Sequence, residues 1–239
     1  MKETQLSFQR YEKKYLMTAG QYAALWAELS PRLRPDEYFS STVCSLYYDT
    51  DDYSLIRHSI QKPIYKEKLR MRSYGVAGEN SLVFVELKKK FKGIVYKRRI
   101  ELEKDRAERW LAGGPAPDNS QISNEIDWVL HRYRLSPKIL ICCDREAWVD
   151  KENSALRFTF DKDIRYREDE LDLGLGSHGR LLLEEGSVLM EIKMPETSPL
   201  WLAELLSRHG VFPAGFSKYG KSYEQKLFEN YFSGVMEIV

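Results

Sequence analysis

The chain contains few cysteines and histidines, three and four among 239 residues. Cys44, Cys142 and Cys143 form no CxxC pair, and the histidines show neither i,i+4 pairing nor zincin spacing. No GxSxG elbow or Cys–His signature is present either. These absences exclude a disulfide framework and a zincin-type metal site, and they leave covalent catalysis unsupported. We interpret the adjacent Cys142 and Cys143 as small core residues of an apolar strand.

Net charge and long apolar runs are also lacking. The formal net charge is +1, so no global field attracts nucleic acid or an anionic membrane surface, and any anion site must be built locally. No apolar run approaches ~18 residues, and the first ten residues contain no signal-peptide core. We therefore expect a cytoplasmic protein with no membrane segment and no nucleic-acid partner.

Charged residues occupy every second position in five stretches, with apolar residues between them. A β-strand sends successive side chains to opposite faces, so each stretch places its charges on one face. A closed antiparallel barrel gathers such faces around a polar lumen and packs the apolar faces under helices, which predicts an α+β fold of this kind. The five stretches are Arg10-x-Glu12-x-Lys14, Lys66-x-Lys68-x-Arg70-x-Arg72, Glu86-x-Lys88-x-Lys90, Lys97-x-Arg99-x-Glu101 and Glu191-x-Lys193.

The order of the predicted elements fits a single domain over residues 1–239, because no repeat, low-complexity tract or long linker interrupts it. Thr18, with Gln21 at the capping-box position, begins the first predicted helix, and Lys92-Gly93 predicts a tight hairpin. Strands are predicted near 7–16, 43–49, 62–74, 81–91, 94–103, 138–149, 155–167, 180–184 and 187–194. Helices are predicted at 18–31, 104–133 (interrupted at 113–115), 198–210 and 218–232, with a short turn or helix near 51–58.

The stretch from Lys66 to Arg72 carries the strongest functional signal. Four like charges on one strand face repel each other, and a row of phosphates would relieve that repulsion. A solvated outer face is the alternative. For the stretch from Glu86 to Lys90 the alternative is an edge strand whose lysines prevent pairing with another strand. The eleven cations of the five stretches, against four carboxylates, favour a polyanion as the ligand.

Glu12 and Glu191 are the candidate metal ligands. Mg²⁺ and Mn²⁺ bind carboxylate oxygen and keep waters and substrate phosphates as further ligands, so two or three carboxylates suffice. The alternative is that each glutamate only pairs with a lysine across the barrel.

Residues 215–222 satisfy the P-loop pattern GxxxxGK[ST], but we reject a P-loop. The pattern has meaning only between a strand and a helix of a βαβ unit, and here no later strand can supply the Mg²⁺-binding aspartate. Phe216 and Tyr219 are also bulky for a loop that wraps phosphates closely.

Taken in order along the chain, several short motifs resemble the vacuolar transporter chaperone (VTC) polyphosphate polymerase domain within the triphosphate tunnel metalloenzymes. The resemblance covers about residues 8–226 and implies an eight-stranded antiparallel tunnel, open at both ends, that binds nucleotide or inorganic triphosphate with a divalent metal. The motifs are Arg10-Tyr11-Glu12-x-Lys14-Tyr15, Ser45-Leu46-Tyr47-Tyr48-Asp49-Thr50, Lys68-Leu69-Arg70-Met71-Arg72, Val85-Glu86-Leu87-Lys88, Val95-Tyr96-Lys97-Arg98-Arg99, Asp144-Arg145-Glu146-Ala147, Met190-Glu191-Ile192-Lys193 and Phe216-Ser217-Lys218-Tyr219.

The resemblance and the charge pattern together give a set of expected site residues. Catalytic roles are expected for Arg70, Arg72, Lys88 and Lys218, and metal binding (Mn²⁺ or Mg²⁺) for Glu191 and Glu12. Phosphate binding is expected for Arg10, Lys14, Lys68, Lys90, Lys97, Arg99, Arg145, Lys193 and Ser217; among these Arg145 and Ser217 rest on the resemblance alone.

The expected function is polyphosphate synthesis from ATP, with ATP or triphosphate and polyphosphate as partners. A triphosphatase and a non-catalytic polyphosphate or nucleotide sensor remain alternatives. An RNA-binding barrel is a weaker one, because Tyr47, Tyr48 and Tyr74 are not arranged among the charges as a stacking platform requires. The eukaryotic pattern adds an inositol-phosphate-sensing domain before the tunnel and membrane helices after it; neither is expected here. The sequence does not indicate an oligomeric state.

Overall fold

A computed structural model describes residues 11–194 and 197–236, with side chains up to residue 228. The strands are Tyr11–Met17 (β1), Leu33–Asp49 (β2), Tyr65–Tyr74 (β3), Leu82–Phe91 (β4), Ile94–Glu103 (β5), Ser136–Asp150 (β6), Arg157–Arg167 (β7), Arg180–Leu181 (β8) and Val188–Met194 (β9). The α-helices are Ala19–Leu29 (α1), Ser54–Ile60 (α2), Lys104–Leu111 (α3), Gln121–Tyr133 (α4), Leu200–Arg208 (α5) and Lys218–Met236 (α6).

The chain divides into two compact units. Unit 1 comprises Met1–Ser41, Asp144–Ile164 and Leu183–Phe216, and unit 2 comprises Thr42–Cys143, Arg165–Leu182 and Ser217–Val239. Strands β2, β6 and β7 are each continuous from one unit into the other.

In unit 1, β9 pairs antiparallel with both β1 and β7. One face of these strands is apolar, and Phe158, Phe160 and Ile192 are buried on it together with Leu25 of α1 and Leu202 of α5. The predicted capping box begins α1: the Thr18 hydroxyl accepts from the Gln21 backbone N–H, and the Gln21 side chain accepts from the Thr18 N–H. The helices of this unit thus cover the apolar face of its strands.

In unit 2, β2, β3, β4 and β5 form an antiparallel meander. The β4–β5 turn is the predicted Lys92-Gly93 hairpin, and both residues have positive φ angles, 46° and 87°, as a two-residue turn with matching twist requires. Alternate residues such as Leu69, Val85 and Leu87 are fully buried in a core that includes Trp110 of α3. The opposite face carries the alternating charges.

The antiparallel sheet with packed helices confirms the predicted α+β class. The strand order is β1-β9-β7-β6-β2-β3-β4-β5, with the two-residue β8 on β7. Among the described residues no pairing joins the two ends of this order, so the closed barrel is not established. No helix in the described part of the chain has both the length and the apolar character needed to cross a membrane.

The buried face of β4 should carry much of the stability of unit 2. Replacement of the fully buried Leu87 by alanine removes packed atoms and leaves a cavity, so we expect a loss of about 2–5 kcal/mol in the free energy of unfolding. Denaturant unfolding measures it. The matched control is Leu82→Ala on the same strand, because Leu82 is 56% exposed. Equal losses for the two variants would contradict the assignment of the core face.

Candidate functional site

The alternating charges of unit 2 lie together on one sheet face. Cross-strand register places Lys68 opposite Lys88 and Lys88 opposite Lys97, while Lys66 lies opposite Lys90. Directly opposed residues of an antiparallel pair share a face, so the charges of β5 lie on the same face as those of β3 and β4. We call this surface the cationic face; its members are Lys66, Lys68, Arg70, Arg72, Lys88, Lys90, Lys97 and Arg99.

Like charges in opposed positions make the lysine rows of this face unfavourable without a counter-ion. Such cross-strand pairs are destabilising. Burial and the charges of Lys90, Lys62 and Lys88 lower the pKa of Lys66 below its ordinary value. Burial lowers the pKa of Lys97 as well, although Glu86 acts in the opposite direction. The arrangement therefore favours a bound anion over an empty face.

Glu86 is the carboxylate that balances part of this charge. It lies between Arg70 and Arg99 in register and is 1% exposed. Arg70 Nε donates to Oε2 at 2.7 Å, Arg99 Nε donates to Oε1 at 2.7 Å, and Lys97 Nζ lies 2.6 Å from Oε1. Burial would raise the pKa of Glu86, but the charges of Arg70 and Arg72 and the bond from Lys97 outweigh it and hold the pKa far below its usual range. Glu86 therefore stays ionised and fixes both guanidinium groups.

Strand β2 and helix α6 border the cationic face with hydroxyl groups. Arg72 Nε donates to Ser45 Oγ at 3.1 Å, and Lys68 Nζ donates to Ser217 Oγ at 2.9 Å. Ser217 also caps α6, because its Oγ accepts from the Gly220 N–H at 3.1 Å. Lys218 is the first residue of α6 and is half-buried. The predicted residues Ser217 and Lys68 are thus in direct contact.

The predicted residues of unit 1 form a second, more balanced group. Lys14 pairs in register with Glu191, and Glu12 pairs with Lys193. Lys14 Nζ lies 3.1 Å from Glu191 Oε1 and donates to the Phe216 carbonyl at 3.1 Å. Each cation here faces a carboxylate across the strands, so the group has little excess charge.

Of the predicted phosphate-binding residues Arg145 and Arg10, the structure describes only Arg145. Arg145 makes a two-pronged ion pair with the fully buried Asp161, with Nε–Oδ1 and Nη2–Oδ2 distances of 2.6 and 2.7 Å. Asp161 is therefore a partner that the sequence did not identify. Arg10 lies outside the described residues.

The implied divalent metal is compatible with the oxygen atoms around Glu191. Glu12 and Glu191 are diagonal neighbours on one face of the β1–β9 pair. Thr159 is in register with Glu191 on β7, and its buried Oγ1 has no hydrogen-bond partner within the described part of the chain. Two carboxylates and a hydroxyl are hard donors of the kind that Mg²⁺ and Mn²⁺ accept. The described residues contain no group of three or more His, Cys, Asp or Glu side chains that could hold a metal ion. Substrate oxygens and water would therefore complete the coordination shell.

Sequence reasoning missed two hydroxyl residues on β2. Ser45 and Tyr47 lie opposite Arg72 and Arg70 in register, and both contact them. Their two-residue spacing, in phase along the same strand, was the available signal. Cys142 and Cys143 are buried, in agreement with the expectation that they are core residues, and Cys44 is buried as well.

Comparison with known proteins identifies the family. The VTC domain family model matches residues 9–227. The chain belongs to the VTC domain family. The resemblance recognised in the sequence motifs is therefore confirmed.

One curated relative of this VTC domain is subunit 4 of the vacuolar transporter chaperone complex of Trypanosoma cruzi. The two are 26% identical over 220 residues, which cover 75% of this chain and 27% of that protein. The VTC domain thus spans about a quarter of the length of that relative.

Solved structures share the fold of this VTC domain. A Bacillus halodurans protein provisionally named an adenylate cyclase aligns with a TM-score of 0.54 at 15% identity, over 86% of this chain and 92% of the other. A Vibrio parahaemolyticus protein with the same provisional name gives 0.50 at 10% identity, over 91% and 98%. At these identities the likeness shows the fold alone.

Replacement of Glu86 by glutamine should destabilise the VTC domain and increase its response to anions. The change leaves Arg70, Lys97 and Arg99 without their shared charge, and we expect a loss of about 1–3 kcal/mol, less than for a fully buried pair because the cations stay partly exposed. Inorganic triphosphate should restore more thermal stability to this variant than to the wild type, since phosphate replaces the lost carboxylate. Thermal melts with and without triphosphate measure both effects.

The control for this experiment is Glu125→Gln. Glu125 also pairs with two cations, Lys89 and Arg98, but these lie on the opposite face of β4 and β5. An equal response of the two variants to triphosphate would show that the cationic face has no special affinity for the anion.

Proposed function

We propose that this VTC domain is a metal-dependent phosphotransferase that synthesises polyphosphate from ATP. The observation that supports the proposal is the cationic face of unit 2, where a row of three opposed lysines lies beside Arg70 and Arg99, which both pair with the buried Glu86. A polyphosphate chain offers a matching row of negative charges. The family membership and the curated relative from a vacuolar transporter chaperone complex support the same proposal.

The two arginines of β3 are proposed to bind and orient the reacting phosphates. Arg70 is held by Glu86 and Tyr47, and Arg72 by Ser45, so both guanidinium groups are positioned before the substrate arrives. Planar guanidinium groups bind two phosphate oxygens at once and stabilise charge that develops during transfer. Phosphoryl transfer depends mainly on such positioning and charge, and requires little covalent chemistry from the protein.

The lysines have a different proposed role. Lys88 and Lys90 are exposed and flexible point charges, suited to phosphates whose exact position varies along a chain. Lys68 and Lys218 flank Ser217 at the start of α6 and are proposed to bind the transferred phosphoryl group. Arg99 and Lys97 contribute charge from β5.

The unit 1 residues are proposed to serve the same reaction. Glu191 and Glu12 would hold a Mg²⁺ or Mn²⁺ ion, and Lys14, Arg145 and Lys193 would bind phosphate. A divalent ion supplies Lewis-acid polarisation of phosphoryl oxygens when it is bound. Lys14, whose Nζ lies 3.1 Å from Glu191 Oε1, is the cation that pairs with this buried carboxylate.

Further parts of the proposal rest on the family. We propose that the sheet closes into the eight-stranded tunnel of the superfamily, that the two units form one domain, and that the protein acts in the cytoplasm. The continuous strands β2, β6 and β7 and the match over residues 9–227 support one domain. Cys44, Cys142 and Cys143 form no disulfide in the described part of the chain, which is compatible with a reducing compartment.

A triphosphatase is the second candidate. Lys88 and Lys97 are exposed, so water has access to the cationic face and could replace a terminal phosphate as acceptor. A non-catalytic sensor would keep the face and show no turnover.

Incubation with ATP and Mn²⁺, followed by separation of the products by size on a gel, tests the proposal. We expect a ladder of polyphosphate in the wild type. Arg70→Ala should weaken ATP binding and lower turnover by about 10²–10³-fold, because it removes a charge that stabilises the transition state. Glu191→Gln should lower turnover by about 10²-fold or more and leave most of the anion binding, because it removes a proposed metal ligand.

Exposed residues provide the controls. Arg109→Ala on α3 and Glu204→Gln on α5 make the same chemical changes outside the proposed site and should leave the ladder unchanged. Free phosphate without a ladder would identify a triphosphatase, and binding without turnover would identify a sensor. Full activity of Glu191→Gln would reject the metal assignment.

A further inference from the structure

The hydroxyl group of Tyr47 lies at the cationic face, where it accepts a hydrogen bond from Arg70. Tyr47 is on β2, directly opposite Arg70, so it extends the row formed by Arg70, Glu86 and Arg99. The side chain is 8% exposed. A phenol buried to this extent normally satisfies its hydroxyl group as both donor and acceptor.

The Tyr47 hydroxyl accepts a hydrogen bond but donates none within the described residues. Arg70 Nη1 donates to the Tyr47 oxygen at 3.1 Å, and a guanidinium group can only donate, so the hydroxyl accepts this bond. Within the part of the chain that the structure describes, this is the hydroxyl's one hydrogen bond. The Tyr47 O–H therefore remains available as a donor beside Arg70.

Neighbouring aromatic residues fix the position of the phenol ring. The ring of Tyr47 stacks on that of Tyr219 with centroids 4.8 Å apart and an interplanar angle of 23°. The Tyr219 hydroxyl donates to Asp49 Oδ2 at 2.8 Å, and Asp49 also accepts the backbone N–H groups of Leu55 and Ile56. Because the ring face of Tyr47 is already covered, the hydroxyl rather than the ring is the part of Tyr47 that a ligand can contact.

The charges around Tyr47 select an anionic acceptor. Burial would raise the pKa of Tyr47, but the charges of Arg70, Arg72 and Lys68 outweigh it and lower the pKa to about 8. A phenol with a weakly held proton is a strong hydrogen-bond donor. The same three cations attract an anion to the place where this donor is free.

We propose that the Tyr47 hydroxyl donates a hydrogen bond to a phosphate oxygen of the polyanion bound on the cationic face, which makes Tyr47 a substrate-binding residue. This rests on the proposed function, because it requires that phosphate binds there. Arg70 then has two partners on the protein, Glu86 and Tyr47, and the phosphate has two adjacent donors, Arg70 and Tyr47.

The assignment implies a characteristic pH dependence. Above a pH of about 8 the phenol loses the proton that it would donate and gains a negative charge beside the phosphate, so affinity should fall as pH rises through this value. Lys66 and Lys97 also have lowered pKa values and weaken binding at high pH. The part of the pH dependence that is present in the wild type and absent from Tyr47→Phe is therefore the contribution of Tyr47.

Calorimetric titration with inorganic triphosphate tests the proposal. We expect Tyr47→Phe, which removes only the oxygen, to weaken binding by about 10- to 100-fold below pH 8, as for other hydrogen bonds to charged groups. When the pH rises from below 8 to above 8, this variant should lose less affinity for triphosphate than the wild type. Tyr48→Phe is the matched control, because Tyr48 is the next residue, equally buried, and on the opposite face of β2.

A double variant separates direct contact from support of Arg70. If Tyr47 contacts phosphate, Tyr47→Phe should weaken binding further in the Arg70→Ala background; if it only positions Arg70, the double variant should bind like Arg70→Ala. Unchanged affinity of Tyr47→Phe, or the absence of a further loss in the double variant, overturns the proposal while the proposed function stands. Failure of the wild type and Tyr48→Phe to bind triphosphate overturns both.

Discussion

The charge of Glu86 is the constraint on which the cationic face depends. Without it, Arg70, Arg99 and Lys97 would lie close together with no counter-charge, and strands β3, β4 and β5 would repel along that face. One carboxylate balances one of three charges, so the sheet remains assembled and the face remains strongly positive.

The charged faces of the two units differ in their proportions of positive and negative side chains. In unit 1 the charges alternate across strands, with Lys14 opposite Glu191 and Glu12 opposite Lys193, and Arg145 is neutralised by Asp161. Such a group attracts anions weakly but offers carboxylate oxygens to a cation. The cationic face of unit 2 has the opposite character. Under the proposed function, this difference assigns metal binding to unit 1 and most of the phosphate binding to unit 2.

Much of this arrangement follows from local sequence patterns, and the rest depends on register between strands. Alternation within one strand predicts a charged face, so β3 and β4 and the Lys92-Gly93 hairpin were predicted closely. The first ten residues of β2, from Leu33, were missed because they contain Pro35 and no clear alternation. The Arg145–Asp161 pair and the contact between Tyr47 and Arg70 join separate strands, and no spacing in a single strand shows such a partnership.

Arginines and lysines occupy different rows of the cationic face. Arginines occupy the positions that have protein partners in register, Arg70 with Glu86 and Tyr47 and Arg72 with Ser45, because a planar fork can bind protein and ligand at once. Lysines occupy the opposed row of Lys68, Lys88 and Lys97. Lys68 contacts Ser217 and Lys97 contacts Glu86, and the exposed Lys88 lies between them in register as an adaptable point charge. A polymer that grows by one phosphate at a time needs both properties. Under the proposed function, the reacting phosphate must be held in one place while the chain behind it moves. Arginines fixed by protein partners beside exposed lysines such as Lys88 and Lys90 suit such a growing polyanion.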